Sequence, residues 1–392
     1  MRIGIEAQRL FRTHKQGMDV YALELIKHLQ QMDQENEYFI FVKADADTSC
    51  LPDAYNFHIV EVQGRSYPDW EQYYLPKAAL RHQLDVLHCT ANTAPLRYHG
   101  NLVLTIHDVT YMEKESLKND GSTAYQRAGS LYRRLVVPMV APNASQVMTV
   151  SWFQRNCISQ SLHLPTDQIE VVHNGVGHQF FQPTNQEKRE QVRERYQLPT
   201  HYYFFLGNTE YRKNLTGVVQ AYALLTQRRN DVPALVMKGI DEPFLTRTLA
   251  ALGQPDLRER CRLIDYVDTE DLPTLYDMSE AFLFPSLSEG FGIPIIEAMA
   301  SGTPVITSDT SAMPEIAGDA ALLIDPYDPK SIADAMEELL DRPYLAEDLR
   351  SRGILRARHF SWRSTAERTL QIYQRFNPED AAAPYEETLL HQ

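Results

Sequence analysis

Cysteine is scarce: Cys50, Cys89, Cys157 and Cys261 are the only four in 392 residues, and none has metal-ligand spacing. A disulfide scaffold and a cysteine-built metal centre are therefore not expected; reduced thiols in a cytoplasmic protein are. Long apolar runs are missing, since none reaches the roughly 18 to 20 residues that cross a bilayer. The opening Met1-Arg2-Ile3-Gly4-Ile5 reads as the direct entry to a strand, so no signal peptide is expected. In that setting the sequons at Asn143 and Asn214 carry no meaning. Positive charge is also in deficit: 38 Lys and Arg stand against 52 Asp and Glu, a net −14, which argues against a nucleic-acid partner. The deficit is uneven. Residues 1–175 hold 16 basic and 19 acidic side chains, net −3, and the remainder 22 and 33, net −11. The first half is thus better placed to meet an anionic acceptor or a membrane surface. No internal repeat or low-complexity tract occurs.

What is present is an ordinary globular composition, 43% hydrophobic and 23% charged, at a length that calls for two domains. Short β-like runs alternate with helical patterns throughout, as in parallel sheets covered by helices. Strands are predicted at 2–6, 38–42, 57–61, 85–89, 102–107, 146–150 and 169–172, with helices at 19–31 and 123–140 among them. A second series follows at 202–208, 234–238, 262–264, 281–284, 304–307 and 321–324. The polar segment 178–200 reads as the passage between two Rossmann-like sheets. Residues 377–392, acidic and containing Ala and Pro, read as a frayed tail.

The most informative stretch runs from Ser288 to Gly302. An apolar strand at 281–284 precedes a glycine-containing loop that carries Glu289. Pro294 can start the next helix and Gly302 can stop it. That helix is apolar on every side except at Glu297, and a carboxylate among Ile295, Ile296, Ala298 and Met299 is costly to bury without a hydrogen-bond partner. Free amides at the helix start, with Gly290 and Gly292 nearby, form an anion site. One segment therefore offers a phosphate cradle and two carboxylates for hydroxyls, which suits a nucleotide-sugar. The alternative at this point is that Glu297 pairs with a basic residue of its own domain.

The frame Ser-Glu-Gly-Phe-Gly-Ile-Pro-Ile-Ile-Glu-Ala-Met-Ala-Ser-Gly-Thr-Pro-Val-Ile, with glutamates at 289 and 297, resembles the signature of the GT-B retaining glycosyltransferases of family 4. The resemblance implies an α/β, GT-B fold, two Rossmann-like domains facing across a cleft: residues 1–176 on the acceptor side, 177–363 on the donor side, and a helix at 364–376 crossing back onto the first. It implies that Glu297 accepts the ribose hydroxyls, and that Glu289 with the amides of Gly290, Phe291 and Gly292 holds the sugar. Lys213, in Gly207-Asn208-Thr209-Glu210-Tyr211-Arg212-Lys213-Asn214, matches the lysine that contacts the donor diphosphate. The family's frequent arginine five residues earlier is replaced by Asn208, so Arg212 is the candidate to supply the missing charge. His107, at the end of a first-domain strand, matches the histidine that contacts the transferred sugar, with Asp108 expected to orient its ring. Gly17, preceded by Gln16 where members often have a second glycine, allows backbone approach to the diphosphate and acceptor. The backbone at Val267 matches the segment that borders the nucleotide base. Val172-His173-Asn174-Gly175-Val176 resembles the element at which the chain turns between domains.

The function so implied is metal-independent transfer of a hexose, with retention, from a nucleotide diphosphate sugar to the hydroxyl of a glycan or lipid-linked acceptor. The style of Glu210–Asn214 resembles bacterial mannosyltransferases of polysaccharide assembly, which favours GDP-mannose and leaves UDP-hexose donors open. No enzymic nucleophile is evident, so the leaving phosphate would assist a same-face displacement. No cofactor is expected. Peripheral contact with the inner face of a membrane is a further expectation, because 123–140 carries Arg127, Arg133 and Arg134 beside apolar residues; packing on its own sheet is the commoner explanation of such a helix. Asp45-Ala46-Asp47, a spacing that metal-dependent enzymes use, lies in a polar loop and is read as chance. A GT-B epimerase or phosphorylase and a non-catalytic nucleotide-sugar binding protein are the rival readings.

Overall fold

A computed structural model describes residues 1–112 and 124–378. The predicted tail lies outside these except for Asn377 and Pro378, as does Thr123, the first residue of one predicted helix. The described residues contain two wholly parallel sheets. The first has the order β3-β2-β1-β4-β5-β6-β7 and comprises β1 (Arg2–Glu6), β2 (Glu37–Val42), β3 (Phe57–Glu61), β4 (Val86–Cys89), β5 (Asn101–Ile106), β6 (Gln146–Thr149) and β7 (Ile169–Val171). The second has the order β10-β9-β8-β11-β12-β13, from β8 (Tyr202–Leu206), β9 (Ala234–Lys238), β10 (Cys261–Ile264), β11 (Ala281–Phe284), β12 (Val305–Ser308) and β13 (Leu322–Ile324). The inner strands are buried on both faces, which is why they read as unbroken apolar runs.

Helices cover both faces of each sheet. On the first sheet, Gly17–Met32 and the last helix, Trp362–Gln374, pack on one face around Ile5, Leu25, Trp362 and Tyr373. Leu75–Arg81 and Ala124–Val140 pack on the other, around Phe41, Trp70, Val136 and Val137. The chain's return to the first sheet is pinned at Val176, which bridges Ser361. A side chain at Gly175 would place a Cβ 2.0 Å from the Trp362 nitrogen, so only glycine fits there.

The segment 178–200 does pass between the two sheets, and it contains a helix the sequence reading did not predict, Gln186–Tyr196, whose Lys188, Arg195 and Tyr196 all reach the buried carboxylate of Asp271. Val192 and Tyr196 are its only buried residues, so it shows no apolar stripe in sequence. β5 stops at Ile106 and not at His107, because the His107 amide leaves the ladder to donate to the Asn92 side chain at 2.6 Å.

Candidate active site

In an open parallel sheet, ligands gather at the carboxyl ends of strands where the strand order reverses. In the second sheet that point lies between β8 and β11, paired with Phe205 opposite Leu283. The loop after β8 carries Arg212 and Lys213, and the loop after β11 carries Glu289. Asn214 ties these loops together. It takes a left-handed conformation (φ 59°), accepts from the Gly217 amide to cap Leu215–Arg228, and donates to the carbonyls of Pro285 and Pro326. The Leu287 amide also donates to the Arg212 carbonyl at 2.7 Å.

So positioned, the three charged groups meet. Lys213 Nζ donates to Glu289 Oε1 at 2.6 Å and Arg212 Nη1 to Oε2 at 2.8 Å, while Arg212 Nε donates to Glu210 at 2.6 Å. Burial pushes the Glu289 carboxyl up, but the Arg212 and Lys213 charges outweigh it and hold it at about 2. Burial pushes the Lys213 ammonium below its ordinary value despite Glu289. Its Nζ also lies 5.0 Å from the centroid of the Phe284 ring. The sequence reading assigned the two cations to a diphosphate and Glu289 to a sugar; in this structure they neutralise one another.

Glu297 stands apart from that cluster. Pro294 sits in the first turn of Ile293–Ala300, and Gly292 (φ 100°) begins it in a conformation that L side chains rarely adopt. Glu297 accepts from the Tyr276 hydroxyl at 3.2 Å. Burial pushes its carboxyl up to about 7, against the Tyr276 hydrogen bond and the attraction of Lys238. The anticipated basic partner therefore acts at a distance, and no described cation makes an ion pair with Glu297.

The first domain closes over this loop. A Cβ on Gly290 would lie 2.2 Å from the His107 carbonyl oxygen, so the two loops touch backbone to backbone. Ser151 donates to the Gly290 carbonyl at 2.8 Å. His107 Nε2 bonds the Thr90 carbonyl at 2.8 Å; a carbonyl can only accept, so that nitrogen carries the proton. Burial keeps the ring below its usual pKa and hence neutral, against the Thr90 bond and the Asp108 charge. Nδ1 is then a free acceptor among the described residues. Tyr21 holds the ring edge-on at 4.9 Å. Asp108 does not orient it: its carboxylate accepts from the Thr110 amide and hydroxyl and shapes the following turn.

Other predicted residues fall as follows. Gly17 is exposed at the start of its helix, with open space for 4 Å around the position a Cβ would take, so Gln16 has not closed that approach. Asn208 uses its side-chain oxygen to accept from the Glu210 amide, which makes it a turn residue of the loop after β8. Val267 and Phe291, expected to act through their backbones, both bury their side chains, Phe291 against Phe360 and His173, so it is their backbones that are left to face a ligand. Asp47 pairs with Lys15. Among the described residues no group of three His, Cys, Asp or Glu comes together around a metal-sized site.

Sequence reasoning missed three residues that build the site. Tyr276 holds Glu297. Ser151 ties the first domain to the Gly290 loop and caps Trp152–Leu162. Glu315, from the second domain, accepts from the amides of Trp152 and Phe153 at 2.9 and 3.0 Å and from His173 at 2.9 Å. Ser151 was legible as a helix cap; its long-range partner, and those of Glu315, were not.

Residues 15–180 match the family model described as Glycosyltransferase Family 4, and residues 186–356 that described as Glycosyl transferases group 1. An O-antigen chain mannosyltransferase B from Escherichia coli is 29% identical over 91% of this chain and 96% of its own length. Among solved structures, a glycosyltransferase from Rickettsia africae superposes with a TM-score of 0.73 at 18% identity, covering 96% of this chain and 98% of its own. WaaG, a glycosyltransferase involved in lipopolysaccharide biosynthesis, does so at 0.71 and 15%, covering 95% and 99%. These likenesses establish the GT-B architecture.

Proposed function

We propose that this chain transfers a hexose, with retention, from a nucleotide diphosphate sugar to the hydroxyl of a glycan carried on a lipid, a reading supported by the matches of residues 15–180 and 186–356 to two glycosyltransferase family models. The observation that carries this reading is the meeting of Arg212, Lys213 and Glu289 at the strand-order reversal of the second domain, directly beneath His107 of the first. In this reading the donor diphosphate takes the two cations from Glu289. The released carboxylate, with the amides of Gly290 to Gly292, then accepts and donates to sugar hydroxyls, and His107 Nδ1 accepts one more. Glu297, held by Tyr276, accepts from the ribose diol.

As the bond from the anomeric carbon to the phosphate oxygen breaks, charge grows on the leaving diphosphate, and Arg212 and Lys213 stabilise it. The acceptor oxygen attacks from the same face, and its proton passes to the departing phosphate oxygen. Two protein cations supply the neutralisation, so the reaction as proposed needs no divalent metal. Mannose is the favoured sugar and GDP the favoured carrier, on the strength of the mannosyltransferase relative that spans nearly the whole chain.

Incubation with a panel of GDP- and UDP-sugars, following release of nucleoside diphosphate with and without a chelator, tests this. Release from GDP-mannose that survives chelation, with an α-linked product by NMR, is expected. Binding without release from any donor would make the protein a non-catalytic binder, and loss of release on chelation would overturn the metal-free route.

A further inference from the structure

One cation of the second domain stands beside the site without a partner. Lys238 ends β9, with Leu206 of β8 opposite it on one side and Ile264 of β10 on the other. Ala234 and Val236, four and two residues before it, lie on the sheet face that packs against Ile293–Ala300, and the alternation of a strand puts the Lys238 side chain on that face too. Gly239 (φ 82°) then turns the chain against the loop after β8, where a Cβ would lie 2.3 Å from the Gly207 carbonyl oxygen. The lysine is half-buried, and among the described residues its ammonium makes no hydrogen bond and no ion pair. The ammonium itself stays open to solvent. Burial pushes it below its ordinary value, and the one charge that acts on it is Glu297, which stands too far away for an ion pair.

An ammonium and a carboxylate on one face, held apart, leave room for a ligand that accepts from the first and donates to the second. In the proposed reading the nucleotide crosses the strand ends from Arg212 and Lys213, after β8, toward the backbone at Val267, after β10, which is expected beside the base. β9 lies between those two strands. The ribose diol occupies Glu297, so the part of the nucleotide that continues past Lys238 is the base. An ammonium only donates. It suits a base edge that carries a keto oxygen, O6 of guanine or O4 of uracil, and is left unpaired by the amino group that adenine or cytosine carries at the same place. We infer that Lys238 selects the base of the nucleotide by donating to that keto oxygen. Lys238 can play this part only if the nucleotide lies as the proposed reading has it; which sugar is transferred is immaterial.

Calorimetric titration of the full chain with GDP, ADP, UDP and CDP tests this, each comparison being made within one ring size. Wild type should bind GDP more tightly than ADP, and UDP more tightly than CDP, by about 10- to 100-fold, the range of one hydrogen bond to a charged group. Lys238→Met keeps an apolar stem against the core and removes the ammonium, and should bring each ratio close to one. Lys238→Gln, which offers both a donor and an acceptor, should do the same. Loss of the Lys238 charge also makes Glu297 harder to ionise, but that weakens every ribonucleotide alike; only a contact with the base moves the ratios. Equal binding within both pairs by wild type, a preference that survives Lys238→Met, or no binding of any of the four would overturn the inference. A preference that depends on Lys238, with no nucleoside diphosphate released from any sugar donor, would keep the base contact and defeat the proposed transfer. Release from GDP-mannose with ratios indifferent to Lys238 would do the reverse.

Discussion

Replacing Glu289 by Gln removes the one carboxylate that Arg212 and Lys213 share. Two independent routes give the cost. Holding the carboxyl from its ordinary 4.5 down to about 2 corresponds to about 3 kcal/mol at neutral pH. Removing one member of a buried ion pair costs about 3–5 kcal/mol, because the partner's charge is left uncompensated. Arg212 keeps Glu210 and is a third exposed, so the lower figure applies, with Lys213 as the stranded group. The sign with pH follows from a carboxyl whose folded value is depressed. Its stabilisation is complete above about 4.5 and is lost as pH falls toward 2, so wild type and variant should converge across that window. Urea denaturation of the full chain at about pH 7 and about pH 3 reads both effects. A nucleoside diphosphate returns negative charge to Arg212 and Lys213, so it should raise the variant's melting temperature more than that of wild type, while sugar transfer falls. If Glu289→Gln unfolds at the wild-type urea midpoint at neutral pH, and gains no more from the nucleotide, the three groups do not depend on one another and the reasoning fails.

Three further outcomes are expected. Burial holds the Glu297 carboxyl up at about 7, and a ribose diol can donate both hydroxyls to the carboxylate, whereas the protonated group turns one of its two oxygens into a donor and loses its charge; nucleoside diphosphate affinity by calorimetry should therefore fall as pH drops below about 7, by up to about tenfold per pH unit, and Glu297→Gln should flatten the profile. Gly290→Ala forces a methyl against the His107 carbonyl and separates the loops that flank the cleft. It should reduce transfer by about a hundredfold with little change in nucleotide affinity, and a wild-type rate would show the contact to be dispensable. Glu315→Ala uncaps the helix that begins at Trp152; exchange of the Trp152 and Phe153 amides, followed by NMR or mass spectrometry, should quicken about tenfold, and unchanged protection would contradict the cap.

The strands were legible because parallel strands buried on both faces leave a strong trace in sequence, and each of the thirteen falls within two residues of its predicted bounds. The helix Gln186–Tyr196 was not, since it is held by charge: Lys188 and Arg195 reach Asp271 about 80 positions away, and no periodicity records such a contact. The same distinction divides the site. Pro294 and Gly302 mark a helix by local backbone chemistry, and both do so here. Whether Asp108 turns toward His107 or toward Thr110 is a choice between two short-range acceptor geometries, and the turn won because the Thr110 amide and hydroxyl offer it two donors at once. Glu315 lay beyond reach for a different reason: its donors belong to the other domain, and their meeting depends on how the two sheets face each other.

The charge balance at the cleft explains how four ionised groups fit in so little space. Arg212, Lys213, Glu289 and Glu210 sum to zero, and each cation has a carboxylate within 2.8 Å. In the proposed reaction an entering diphosphate displaces Glu289, since both compete for the same donors and the phosphate oxygens bring more negative charge. The displaced carboxylate cannot remain unpaired at 8% exposure. The acceptable partners within its reach are hydroxyl groups and the amides beside Gly290 and Gly292, which is where a sugar attached to that diphosphate would lie. Recognition of the diphosphate and recognition of the sugar are then a single exchange of partners at Glu289. On the proposed reading, a nucleoside diphosphate without its sugar gains the cations but strands the glutamate, so the intact donor should bind more tightly than the product it leaves behind, and equal affinities for the two by calorimetry would refute the exchange.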